Sequence, residues 1–139
     1  MRSILFLAIC LCLGVTACNN GNTQNTEKTE QTNQDVRIVS ISGTTTEILC
    51  ALGMEKNIVG VDVTSTYPES VQKLPKVGHN RNMSAEAIIA LKPTLVVGVT
   101  ENVSPQLIEQ LRAANIKVQT YNLESSPEGA KNLVRQMAD

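Results

Sequence analysis

The chain has 139 residues, 12 Lys and Arg against 13 Asp and Glu, a net charge of −1, and one Phe, two Tyr and no Trp. This balance supplies no basic field to gather nucleic acid, and the length allows one small folded domain with a short appended segment. Of the four cysteines, Cys10, Cys12, Cys18 and Cys50, three fall within the first 18 residues, which excludes a disulfide framework in the remainder.

Met1-Arg2-Ser3 gives a short positive start, and Ile4 to Val15 is an apolar run shorter than the roughly 20 residues a permanent membrane span requires. It reads as a secretory signal over residues 1–17. Val15-Thr16-Ala17-Cys18 resembles a bacterial lipobox, which implies that Cys18 is the lipidated first residue of the mature chain. Acyl chains contribute about 0.8 kcal/mol per buried CH₂, so two or three of them hold a protein on a bilayer. Residues 18–35 are almost wholly Asn, Gln, Thr, Glu, Gly, Lys and Asp after the cysteine, with nothing apolar to offset the entropy of ordering, and read as a disordered tether.

Residues 36–139 alternate strand and helix signals. Arg37 to Ile41 is a β-branched run stopped by Ser42-Gly43; Thr44 to Glu47 opens a helix that turns Ile48, Leu49 and Leu52 inward and ends at Gly53. Cys50, flanked by apolar residues, is expected to be a small buried hydrophobe. Ile58 to Asp62 is a second strand, and Pro68 restricts Tyr67 to extended geometry before a short helix over Glu69 to Leu74. Lys76 to His79 is a brief extended segment. Ser84 then caps a helix from Ala85 to Leu91, with Glu86 in the first turn where a carboxylate favours the helix dipole.

Thr94 to Gly98 is the most continuously apolar strand, the pattern of a parallel strand covered on both faces. Ser104-Pro105 opens a helix with Leu107, Ile108, Leu111 and Ala114 inward; Lys117 to Tyr121 is the last strand, and Ser126-Pro127 begins a helix that still runs at Asp139. The alternation specifies an α/β fold, a mainly parallel sheet with helices on both faces, whose ligands meet the carboxyl ends of the strands. The loops there are Ser42–Thr46, Asp62–Pro68, His79–Met83, Val99–Ser104 and Asn122–Ser126.

The ordered series Arg37-Ile-Val-Ser-Ile, Thr46-Glu47-Ile, Leu52-Gly53, Val59-Gly-Val-Asp62, Tyr67-Pro68, Leu74-Pro-Lys-Val-Gly78 and Ala90-Leu-Lys-Pro93 resembles the N-terminal lobe of the substrate-binding proteins that serve ABC importers of haem, cobalamin and ferric siderophores. The resemblance covers residues 36–139 and implies a Rossmann-like lobe, with a second lobe lying beyond the end of this chain as if by truncation. It implies a lipid-anchored receptor in the periplasm that carries its cargo without altering it, and an inner-membrane permease as partner. Leu74 to Glu86 is most similar to the haem-binding branch. There the residue after the glycine is a tyrosine that ligates the haem iron; the matching position is His79, with Arg81 retained. The resemblance therefore implies His79 as axial ligand and Arg81 near a haem propionate. Imidazole in place of a phenolate replaces an anionic oxygen donor with a neutral nitrogen. Glu86 matches the acidic residue that docks an arginine of the permease, Tyr67 either faces the cleft or packs on the sheet, and Glu47 reads as a structural helix-start residue.

Other classes fit less well. Ser42-Gly43-Thr44-Thr45 lacks the later glycines of a dinucleotide fingerprint, the chain has no Gly-Lys-Ser/Thr, and its one histidine has no G-x-S-x-G partner for hydrolysis. One His and one Cys cannot complete a structural zinc site. Haem is thus the expected cargo, with a corrinoid, a ferric siderophore, or a lobe without transport activity as the alternatives.

Overall fold

A computed structural model of the protein describes residues 36–79 and 82–139. The signal, Cys18, the tether, Asn80 and Arg81 lie outside the described residues. In chain order the elements are β1 (Ile38–Ser40), α1 (Gly43–Ala51), β2 (Ile58–Val61), β3 (Gly78–His79), β4 (Asn82–Met83), α2 (Ala85–Ala90), β5 (Leu95–Val99), α3 (Pro105–Ala113), β6 (Lys117–Tyr121) and α4 (Pro127–Ala138). The main sheet is parallel in the order β2-β1-β5-β6, and β3 and β4 form a separate antiparallel pair.

Side-chain alternation along the strands divides the interior in two. Ile38 and Val97 join Leu49, Ile58, Val61 and Val71 on the face covered by α1. Val39, Ile41 and Val96 join Ile88, Leu107 and Leu111 beneath α2 and α3. The two central strands are buried on both faces, which is why β5 reads as a continuous apolar run. α2 packs on α3 and α1 on α4, so helices cover both faces as expected. Leu111, fully buried, contributes about 1.5–3 kcal/mol by leaving water.

Capping follows the sequence. The hydroxyls of Ser84, Ser104 and Ser126 accept from the backbone N–H groups of Ala87, Leu107 and Gly129, and Pro105 and Pro127 occupy first-turn positions. Several expectations need correction. Leu52 is the C-cap of α1 rather than part of its inward face and is 37% exposed. Ala114 is likewise the C-cap of α3, beyond the last full turn, and is exposed. Cys50 is only half-buried; burial, then Glu55 and Glu47, push its thiol pKa up and leave it a poor nucleophile. The turn over Glu69–Lys73 is a 3-10 helix rather than an α-helix. Among the described residues, no helix is long and apolar enough to cross a membrane.

Candidate functional site

β2 lies on one side of β1 and β5 on the other, so the helices that follow β1 and β5 leave over opposite faces. A crevice opens at the carboxyl ends of the strands where the order switches. A groove of about 570 Å³ occupies that place. Its wall combines Ser42, Gly43 and Thr44 at the start of α1, Glu47 one turn further on, Thr64 from the loop after β2, Val99, Glu101 and Asn102 after β5, and Leu123 and Ser125 after β6. Four of the five strand-end loops expected to meet a ligand therefore converge here.

One corner of this groove is built on a buried hydroxyl network. Asp62 is fully buried; its Oδ1 accepts from Ser65 Oγ at 2.5 Å, and its Oδ2 accepts from Thr64 Oγ1 at 2.5 Å and from Thr64 N–H at 3.2 Å. Ser65 Oγ lies 2.8 Å from Thr46 Oγ1, which is 2.8 Å from Ser40 Oγ, itself 2.9 Å from Thr45 Oγ1. The Ser65 and Thr64 protons are committed to Asp62, while Thr46 Oγ1 has Ser40 Oγ and the Ser42 carbonyl as acceptors and Thr45 Oγ1 donates to the Ser42 carbonyl. This chain ties the end of β1, the first turn of α1 and the loop after β2 into one unit. Thr64 Oγ1 also accepts from Gly43 N–H at 3.3 Å, and a Cβ on Gly43 would lie 3.2 Å from Thr64 O, so glycine permits the close approach of the two loops.

The sequence-selected residues lie elsewhere. His79 is exposed at the end of β3, in a hairpin joined to the loop after β2 by a bond from Val63 N–H to Gly78 O (3.0 Å). His79 pairs antiparallel with Asn82, and Gly78 with Met83. The expectation that the His79 and Arg81 side chains share one side rests on Arg81, which, like Cys18, lies outside the described residues. Tyr67 is 67% exposed and lines a second recess of about 330 Å³ with Ile48, Ala51, Leu52, Val134 and Glu47, the last shared with the groove. Glu86 stands exposed in the first turn of α2. Among the described residues no three His, Cys, Asp or Glu side chains are grouped to hold a metal ion.

Sequence reasoning missed Glu47 and Glu101 as groove residues. α1 begins at Gly43 and has no acid in its first turn, so Glu47 sits too far along to act as a helix-start charge. Its spacing of four from Gly43 returns it to the same helix face, and this was the available signal. Glu101 occupies a 3-10 turn, Thr100–Asn102, which has no hydrophobic periodicity to reveal it.

Residues 38–139 match the family described as periplasmic binding protein. An ABC transporter substrate-binding lipoprotein of Bacillus subtilis, YvrC, itself uncharacterised, is 42% identical over 88 residues, covering 62% of this chain and 28% of that protein. The vitamin B12-binding protein of Photorhabdus laumondii is 31% identical over 100 residues, covering 72% of this chain and 36% of its own length. The crystal structure of a periplasmic heme binding protein from Pseudomonas aeruginosa superimposes with a TM-score of 0.66 at 34% identity, over 73% of this chain and 37% of that one. The periplasmic heme-binding protein RhuT of Roseiflexus gives 0.64 at 36% identity, over 73% and 46%. The chain thus spans well under two thirds of the length of each.

Proposed function

The chain belongs to the periplasmic binding protein family, a family of non-enzymatic solute carriers, and from that premise we propose that it is a receptor lobe of an ABC importer for a metal-bearing tetrapyrrole. In this reading Cys18 carries the lipid that holds the protein at the periplasmic face of a membrane, and residues 18–35 give the lobe its reach. Glu86, exposed on the rim, docks on the permease. The groove at the strand ends meets the cargo. The observation that carries the reading is the convergence of four strand-end loops on one groove, in a chain whose relatives include heme-binding and vitamin B12-binding proteins.

For haem, His79 is the iron ligand and Arg81 faces a propionate, with Tyr67 a further contact at the edge. An exposed imidazole on a short hairpin anchored to the groove's Thr64 loop is accessible to a planar ligand laid across the strand ends. A corrinoid is the second reading, favoured by the wall itself: Glu47 and Glu101 line the groove and, among the described residues, no Lys, Arg or His does. Two carboxylates there oppose the propionates of haem and tolerate a rim of neutral amides.

Absorbance titrations of hemin and of vitamin B12 into the full chain in detergent, each repeated with His79→Ala, test both readings. Saturable hemin binding that His79→Ala abolishes supports haem. Saturable B12 binding supports the corrinoid. Binding of neither overturns the receptor reading.

A further inference from the structure

Ser42 is the N-cap of α1, yet its hydroxyl caps nothing: it is 4% exposed, lines the groove, and has no hydrogen-bond partner among the described residues. A buried hydroxyl left unpaired in a native fold calls for a physical reason. The neighbouring amides sharpen the point. Of the first N–H groups of α1, which have no acceptor inside the helix, Gly43 N–H is taken by Thr64 Oγ1 and Thr46 N–H by Ser42 O, whereas Thr44 N–H has no acceptor among the described residues. Of the other nearby hydroxyls, those of Thr45, Thr46, Thr64 and Ser65 are consumed by the network around Asp62, and that of Thr44, which lines the groove, has no partner among the described residues. At the positive end of a nine-residue helix the groove thus offers Ser42 O–H together with the N–H and O–H of Thr44 as free donors.

The same wall carries two acceptors, the carboxylates of Glu47 and Glu101, with no basic side chain among the described residues that line it. A full anion would gain the helix end and lose against both glutamates. A cation would do the reverse. A neutral group with an accepting oxygen and a donating nitrogen uses both halves of the wall.

We infer that the start of α1, with Ser42, Thr44, Glu47 and Glu101, is a subsite for a primary carboxamide of the cargo. The amide oxygen accepts from Ser42 O–H and Thr44 N–H, and the amide NH₂ donates to Glu47 or Glu101. This rests on the receptor reading and chooses between its cargoes, because vitamin B12 has peripheral primary carboxamides whereas the corresponding polar groups of haem are carboxylates. Glu47 and Glu101 are then specificity-determining residues, since a site built around paired donors and acceptors rejects an analogue that leaves a buried group unpaired or places like charges together.

The test compares vitamin B12, its monocarboxylic acids in which one peripheral amide has been hydrolysed, and hemin, each bound to the full chain in detergent and measured by equilibrium dialysis. B12 is expected to bind at least tenfold more tightly than one of the monoacids. The double substitution Glu47→Gln, Glu101→Gln, at exposed positions that leave the core intact, is expected to raise that monoacid's affinity about tenfold and to weaken B12 about threefold, because a neutral amide oxygen accepts more weakly than a carboxylate. Ser42→Ala, with circular dichroism to verify folding, is expected to weaken B12 by about fivefold. Equal effects of the double substitution on B12 and on every monoacid overturn the inference, as does failure of B12 to bind. If hemin binds while B12 does not, the carboxamide subsite falls and the receptor reading stands; if neither binds, both fall.

Discussion

Two loops leave the same edge of the fold under opposite regimes. The corner formed by Ser40, Thr45, Thr46, Asp62 and Ser65 is buried throughout, and every hydroxyl in it has a partner. The β3–β4 hairpin is a two-rung ladder carrying an exposed histidine. The corner fixes a shape, and the hairpin presents a group. In a low dielectric, a satisfied polar network has only one good arrangement, whereas a short exposed hairpin leaves its side chains free to meet whatever arrives. A binding lobe uses both: a floor that does not move and a reaching group that is not already committed.

Removing the centre of the corner should break the comparison most severely. Asp62→Ala leaves Ser65 O–H, Thr64 O–H and Thr64 N–H without their acceptor. At about 1–3 kcal/mol for each buried donor left unpaired, relieved in part by water entering at Thr64, a loss of about 3–5 kcal/mol is expected in urea unfolding. Asp62→Asn keeps one accepting oxygen and should lose less than half as much. Equal stability of the Ala variant and the parent would show that the network is dispensable.

A smaller and more local effect is expected at the foot of the hairpin. Gly78 has φ 120°, and a Cβ there would lie 2.6 Å from Asn82 O and 3.2 Å from Met83 Cα. Gly78→Ala must therefore open the hairpin or distort it, at a cost of about 1–3 kcal/mol. Because Val63 N–H donates to Gly78 O, the Val63 amide should exchange with solvent faster in the variant while the amide of Ile41, bonded to Val97 O in the sheet, is unchanged. Uniform acceleration of both would mean that the hairpin and the sheet open together, and the two regions would not be independent.

This division also explains which parts of the molecule were legible in the sequence. Strands such as Leu95–Val99 and capped helices such as Pro105–Ala113 announce themselves by local chemistry: a continuous apolar run, or a Ser-Pro start with an apolar stripe. The parallel order and the strand-end position of the groove follow from that alternation. The groove's wall does not, because Glu47, Thr64 and Glu101 come from three separate segments, helix α1, the loop after β2 and the turn after β5, whose convergence depends on strand order rather than on any local pattern. Asp62 looked like the end of a strand, and only its contacts with Thr64 and Ser65 make it the centre of a corner. His79 was selected by resemblance alone; its position in an antiparallel pair turned on Gly78, whose positive φ is invisible to side-chain patterning.

The smallest expected change in stability belongs to His79. The imidazole is exposed and no hydrogen bond or ion pair joins it to the described residues, so its removal exposes no cavity and strands no partner. His79→Ala should alter the free energy of unfolding by no more than about 0.5 kcal/mol, the range of ordinary surface substitutions. The same substitution is expected to abolish the Soret change on hemin addition if imidazole is the iron ligand. A pair of measurements on one variant therefore separates presentation from architecture: unchanged stability with lost ligation is what an uncommitted group produces. A stability loss above about 1 kcal/mol would instead make His79 part of the fold, and the contrast between a fixed corner and a presenting hairpin would fail at its functional end.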